Sequence, residues 1–253
     1  MVRFSVVILA AAAVVPAAVY AAASAIPGYV TAAVADTSRP DADRAADVKR
    51  KPAETIAFAG VKPGMVVGEF YPGGGYFTRM LSDVVGAKGH VYGMENLRWD
   101  DPKADKALVA GAKGGNVSIE AAAFGTVRFL KPLDVAWITQ NYHDLKIGEY
   151  GVVDTIAFDR GVFNALKPGG VFMITDHEAP PGTDVAGITK LHRIEKAQVI
   201  REVTSVGFKL VDEGTFLRRP TDDHTLPIFD KKVRGQTDQY VLKFVKPLRA
   251  KKP

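Results

Sequence analysis

Residues 66–75 of this 253-residue chain read Val-Val-Gly-Glu-Phe-Tyr-Pro-Gly-Gly-Gly, an apolar run that ends in an acid and enters a tight glycine turn. Tyr76-Phe77-Thr78-Arg79-Met80-Leu81 then reads as the first turns of a helix. A strand, a glycine turn and a helix in that order predict a ligand crevice. The glycines let backbone approach a ligand closely, and the helix N-terminus adds partial positive charge. Many α/β proteins carry such a turn for packing alone, so its neighbours decide what it means.

Those neighbours alternate. Strands are expected over 65–70, 90–94, 116–121, 133–139, 171–175, 208–212 and 239–245, with helices over 76–85, 102–110, 150–166 and 192–206. Gly86-Ala87-Lys88-Gly89 and Lys167-Pro168-Gly169-Gly170 are turn signals placed just before strands. Strand–helix alternation predicts a parallel sheet covered on both faces. Only a polar stretch, 213–238, separates the last two strands, which predicts an antiparallel pair at the sheet edge. The fold class expected is a doubly wound, Rossmann-like α/β domain with a mostly parallel seven-stranded sheet. Upstream, Asp41 opens a helical pattern that Pro52 divides in two.

The N-terminus predicts export. Arg3 precedes an apolar run from Val6 to Ala23, and Ala23-Ser24-Ala25 forms a small-x-small cleavage site. Residues 1–25 therefore read as a signal peptide, 26–40 as a flexible connector and 41–253 as one domain. A second candidate cut follows Ala33-Val34-Ala35, and an uncleaved anchor is the alternative, since the run nearly spans a bilayer. A periplasmic or secreted location follows, with membrane contact only through the leader. The chain has no cysteine, which excludes disulfides and thiolate chemistry. The net charge of +5 is densest in the tail at Lys243, Lys246, Arg249, Lys251 and Lys252. Phe244 is its one aromatic, so it reads as a solvated tail and not as a nucleic-acid surface.

With Glu69 at the first strand end, Glu95 at the second and Leu166-Lys167-Pro168-Gly169-Gly170 before the fifth, the chain resembles class I S-adenosylmethionine-dependent methyltransferases. The resemblance spans about 55–246. It is closest to a bacterial subgroup of often exported methyltransferases, through Pro72-Gly73-Gly74-Gly75, Asn141-Tyr142-His143-Asp144-Leu145 and Thr237-Asp238-Gln239-Tyr240. It implies S-adenosylmethionine as cofactor and methyl transfer to an oxygen or nitrogen of a small-molecule acceptor. The cofactor residues it implies are Glu69, Tyr71, Gly73, Gly74, Gly75, Glu95, Phe124 and Asn141. Glu69 would accept from the cofactor ammonium, and Glu95 would bind the ribose hydroxyls.

The chain departs from that pattern in two places. Tyr71 stands where the first motif usually has glycine, so it narrows the pocket or lends it a hydroxyl. After the third strand comes Ala121-Ala122-Ala123-Phe124, with Glu120 as the one acid near the adenine side. Phe124 is then the residue expected to stack on adenine.

Asn141-Tyr142-His143-Asp144 follows the fourth strand, at the edge where ligands bind in this fold. His143 is the expected general base, with Asp144 and Tyr142 beside it. A loop histidine bonded to backbone is the plainer alternative. His143, Asp176 and His177 also form a conceivable metal set for a hydrolase or lyase, but no His-x-x-x-His spacing supports one, and no metal ligand is assigned. His192, Glu195, His224, Asp222 and Asp223 lie downstream, and Arg218-Arg219 with the 213–238 stretch read as a lid or a flexible loop. Cells make the cofactor in the cytoplasm, which keeps a non-catalytic ligand-binding protein on this fold as an alternative.

Overall fold

The computed structural model describes residues 25–248, so all but the last residue of the expected leader lies outside the described residues. The sheet strands are β1 (Val66–Phe70), β2 (His90–Asn96), β3 (Val117–Ala122), β4 (Leu133–Thr139), β5 (Leu166–His177), β6 (Lys209–Gly214) and β7 (Gln239–Val245). They lie in the order β3-β2-β1-β4-β5-β7-β6. The first five strands pair in parallel, and β7 runs antiparallel to both β5 and β6. The strand order reverses between β1 and β4, which opens a crevice at their carboxyl ends.

Successive residues of each strand face opposite sides, and that alternation fills two cores. Ala136 and Ile138 of β4 and Phe172 and Ile174 of β5 join one apolar cluster. Val135, Trp137 and Met173 join the other. The first core is closed by α6 (Thr155–Ala165) and α8 (Lys196–Ser205), which bring Phe158, Val162, Val199 and Val203. The second is closed by α3 (Pro52–Ala59) and α4 (Tyr76–Val85), which bring Ile56, Met80 and Leu81. On β1, Gly68 has no room for a side chain, because a Cβ there would lie 2.6 Å from Leu133 Cδ1.

Pro52 divides the early helical pattern as expected. α2 (Asp41–Arg50) ends at Lys51 in the left-handed region (φ 47°), and Pro52 begins α3. The stretch expected as a flexible connector, 26–40, is a correction. It contains α1 (Gly28–Val34), whose Val30 and Ala33 are buried in the second core. Arg39 is buried too, and it forms a bidentate pair with Asp47 (2.7 and 2.8 Å). Alanine and valine suit a helix face as readily as a linker, so only the partner surface decides.

Two helix starts also differ from expectation. α6 begins after Asp154, whose carboxylate caps Ala157 N. The helix expected over 192–206 is α8, which begins only at Lys196; an unexpected helix, α7 (Val185–Leu191), precedes it and ends at His192, which adopts φ 53°. α5 (Pro102–Gly111) stands between β2 and β3, and a 3-10 turn, His143–Lys146, between β4 and α6. No helix among the described residues is long and apolar enough to cross a membrane.

Candidate active site

A cleft of about 560 Å³ opens at the carboxyl ends of β1 and β4, and Glu69, Tyr71, Gly73, Gly74, Asn141, His143 and Asp144 all line it. The structure therefore gathers most of the residues singled out in sequence. Arg50, Tyr76, Trp99, Tyr150, His192, Ile228 and Phe229 stand among the other lining residues.

The glycine turn is held from both sides. Gly73 and Gly75 adopt φ 51° and 75°, and a Cβ on Gly73 or Gly74 would meet no atom within 4 Å. Gly75 has no such freedom, since a Cβ there would lie 2.6 Å from Leu108. Glu95 sits under the turn, accepting from Gly73 N at 2.9 Å and from Asn96 N at 2.7 Å. Its carboxylate thus fixes the turn, and burial raises its pKa, but neither Glu95 nor Gly75 itself lines the cleft. Next to it, the Asn96 side-chain amide nitrogen is buried without a hydrogen-bond partner.

Glu69 is buried and accepts from Thr78 Oγ1 at 2.7 Å. Burial pushes its carboxyl up to about 7, against the opposing pull of Thr78 and the Arg50 charge. Arg50 lies over the Tyr76 ring, 4.0 Å from its centroid, so a cation and an acid stand together beside the turn.

Tyr71 takes the left-handed backbone (φ 57°) that explains why glycine is usual at that position. Its hydroxyl accepts from Gly125 N (3.0 Å) and ties down the loop after β3. Its ring packs on Phe124 (4.7 Å) and Trp99 (5.8 Å), and Trp99 in turn packs on Tyr150 (5.0 Å). Phe124 belongs to this aromatic cluster and does not itself line the cleft, which corrects its expected place in the cofactor pocket. Glu120 forms an ion pair with Arg128 and is equally withdrawn.

The Asn-Tyr-His-Asp segment divides its side chains. In a 3-10 turn successive residues point about 120° apart. Tyr142 therefore turns into the core, fully buried, and donates to Asp159 (2.9 Å) with Glu202 at 3.2 Å. This corrects its expected catalytic role: burial and the two acids raise its pKa well above the usual phenol value. Burial likewise pushes Asp159 up to about 8.

His143 turns the other way. Its Nδ1 lies 2.7 Å from Asp176 Oδ1, and its Nε2 lies 3.1 Å from Asp144 Oδ1. Its backbone N also donates to Asp176 Oδ2, at 2.7 Å. Burial alone would lower its pKa, but the Asp176 charge and the bonds to both acids raise it to about 10. An imidazolium has no lone pair to accept a proton, so the expected general base is a cation in the free protein. Asp144 is held well below the usual carboxylate range: burial opposes this, and His143 and His192 outweigh it.

Asp176 and His177 do not join His143 as a metal set. Both Asp176 oxygens accept N–H groups of 143 and 177, and His177 Nδ1 lies 2.8 Å from Thr237 Oγ1. Burial lowers His177 to about 3, so its ring is neutral. Sequence reasoning did not assign Arg50, Trp99, Tyr150, His192, Ile228 or Phe229 to the site. Of these only His192 carried a signal, a histidine just ahead of a helical pattern.

The 213–238 loop is anchored and not free. The buried Arg193 forms a bidentate pair with Asp222 (2.8 and 3.1 Å), and Asp238 accepts from Arg218 and from Arg219 N. Ile228 N donates to Leu191 O, which brings Phe229 onto the His192 ring at 4.9 Å.

No protein-family model matches the sequence, and no curated protein matches it. Solved structures do. A SAM dependent methyltransferase from Aquifex aeolicus aligns with a TM-score of 0.56 at 15% identity, over 81% of this chain and 95% of that one. The glycopeptide N-methyltransferase MtfA, solved with sinefungin, aligns at 0.52 and 15% over 80% and 86%. The [4+2]-cyclase SpnF aligns at 0.57 and 16% over 85% and 86%. Such identities speak to architecture alone, and they agree with the strand order above: the chain carries the fold of the class I S-adenosylmethionine-dependent methyltransferases.

Proposed function

We propose that the protein is an exported S-adenosylmethionine-dependent methyltransferase that acts on an oxygen or nitrogen of a small molecule. One observation carries this: Gly73, Gly74, Glu69, Asn141, His143 and Asp144 face one cleft at the switch point of the sheet. The residues fit the cofactor. Gly73 and Gly74 open onto the cleft with nothing where a Cβ would stand, and an unpartnered buried amide waits beside Glu95. Glu69 would hold the ammonium, Arg50 the carboxylate, and Glu95 with Asn96 the ribose hydroxyls. Tyr71 and Trp99 supply aromatic surface on the adenine side.

Bound cofactor would supply an electrophilic methyl group on a sulfonium. The chain's own part is positioning, which is a large share of catalysis where two reactants must meet in line. Asp144 and His192 form the far wall, with Nδ1 of His192 3.6 Å from Asp144 Oδ1, and Tyr150 and Phe229 enclose an acceptor of modest size. Asp144, held ionised, accepts from the acceptor O–H or N–H and sets its orientation. The leader supports export. A neighbour named as a cyclase shows that this fold also hosts other chemistry, so cofactor binding is the measurement that matters. Calorimetric titration of the mature chain with S-adenosylmethionine and sinefungin should give one site. No binding at millimolar cofactor overturns the proposal.

A further inference from the structure

His143, Asp144 and His192 each turn one ligand atom toward a common point, and these atoms lie within 4.8 Å of one another. His143 Nε2 is 3.1 Å and His192 Nδ1 3.6 Å from Asp144 Oδ1. Ligand atoms of a tetrahedral zinc ion, at 2.0–2.1 Å from the metal, stand about 3.3 Å apart. Two of the three separations thus already match edges of such a site, and the third pair lies within 4.8 Å.

The surroundings point the same way. Metal-binding histidines commonly give their other ring nitrogen to a carboxylate, which fixes the ring. Here Asp176, fully buried, takes Nδ1 of His143 and leaves Nε2 facing Asp144 and the cleft. The remaining Asp144 oxygen is bonded by Asn141 Nδ2 at 2.9 Å, so the carboxylate is oriented too. His192 is held by its left-handed backbone at the end of α7 and by the Phe229 ring against it. All three residues line the cleft.

We infer that His143 Nε2, the Asp144 carboxylate and His192 Nδ1 form a binding site for a divalent transition-metal ion of the zinc type, its open position facing the cleft. Two imidazoles and a carboxylate suit zinc, cobalt or nickel better than magnesium or calcium. Ligation needs neutral imidazoles and an ionised carboxylate, so metal binding should strengthen as pH rises. The open position would take an anionic oxygen of a molecule bound in the cleft. The site goes beyond the methyl-transfer proposal and does not depend on it.

The test uses untagged mature chain, stripped with chelator and titrated with Co²⁺ and then Zn²⁺ in the absence of cofactor. One equivalent of Co²⁺ should bind and give ligand-field absorption, which Zn²⁺ then abolishes. Imidazole ¹H–¹⁵N signals of His143 and His192 should move with Zn²⁺ while those of His224 stay. His192→Asn, chosen because asparagine tolerates the left-handed backbone, and Asp144→Asn should each weaken binding by roughly tenfold or more. His224→Ala should bind as the unaltered chain does. No stoichiometric Co²⁺ binding up to millimolar, or unchanged affinity in both asparagine variants, overturns the site. Cofactor titration of the same stripped protein reads the methyltransferase proposal separately, so either can fail alone.

Discussion

The two halves of the cleft are built in opposite ways. The half at β1 is local: Glu69, Tyr71, Gly73 and Gly74 come from six consecutive positions, with Glu95 arriving from the adjacent strand. The half beyond β4 is distant. His143 and Asp144 come from one turn, Asp176 from the end of β5, His192 from the end of α7 and Phe229 from the 213–238 loop. The local half depends on backbone conformation, which a few residue types dictate. The distant half depends on buried charge, which only the assembled chain can balance.

Removing Asp176 should separate the halves most sharply. Asp176→Ala leaves the N–H groups of 143 and 177 without their acceptor and His143 with one acid in place of two. Leaving a buried charge and donors uncompensated costs about 3–5 kcal/mol, read as a lower urea midpoint. Cofactor affinity should hold within a few-fold where the variant remains folded. If affinity falls as far as stability, the halves are not independent.

Glu69→Gln should do the reverse. Losing a charge-assisted hydrogen bond to the ammonium should cost roughly 1.5–3 kcal/mol of cofactor binding in calorimetry. Its effect on stability has a definite sign. The carboxyl titrates near 7 in the folded chain and nearer its ordinary 4.5 unfolded, so the folded state holds the proton more tightly. That contribution is present below the unfolded value and is lost as pH rises toward 7. Glu69→Gln should therefore be the more stable chain at pH 8 and lose its advantage near pH 5, as thermal melts at the two pH values would show.

Tyr71→Phe tests the tie between the end of β1 and the loop after β3. It removes the acceptor of Gly125 N, at a cost of roughly 1–2 kcal/mol. It should raise hydrogen exchange in the loop after β3 and leave the rest of the sheet protected. The smallest effect should come from Glu120→Gln, which breaks only a half-exposed pair with Arg128. Such pairs are worth ~0–1 kcal/mol, and cofactor affinity should not change. A clear loss of affinity would return Glu120 to the adenine side.

The strands, their alternation and the antiparallel edge pair were legible because apolar period and turn residues act within a few positions. Tyr71 was legible as a departure, but the job of its hydroxyl was not, since Gly125 lies 54 residues on. Phe124 was an apolar residue at a plausible address, and the ring that covers it was invisible in sequence. Tyr142 and His143 are neighbours, and their opposite fates follow from a 3-10 turn that no spacing announces. Arg50 was missed for a related reason: nothing near it signals that α2 folds over Tyr76.

The sequence by itself determined the sheet, the glycine turn and the acids beside it, because these rest on backbone sterics and hydrophobic period. The tertiary structure alone decided that His143 stands between Asp176 and Asp144, that His192 joins them, and that residues 28–34 pack as a helix. Protonation and burial are properties of surroundings: a histidine has no fixed charge until the chain has chosen its neighbours.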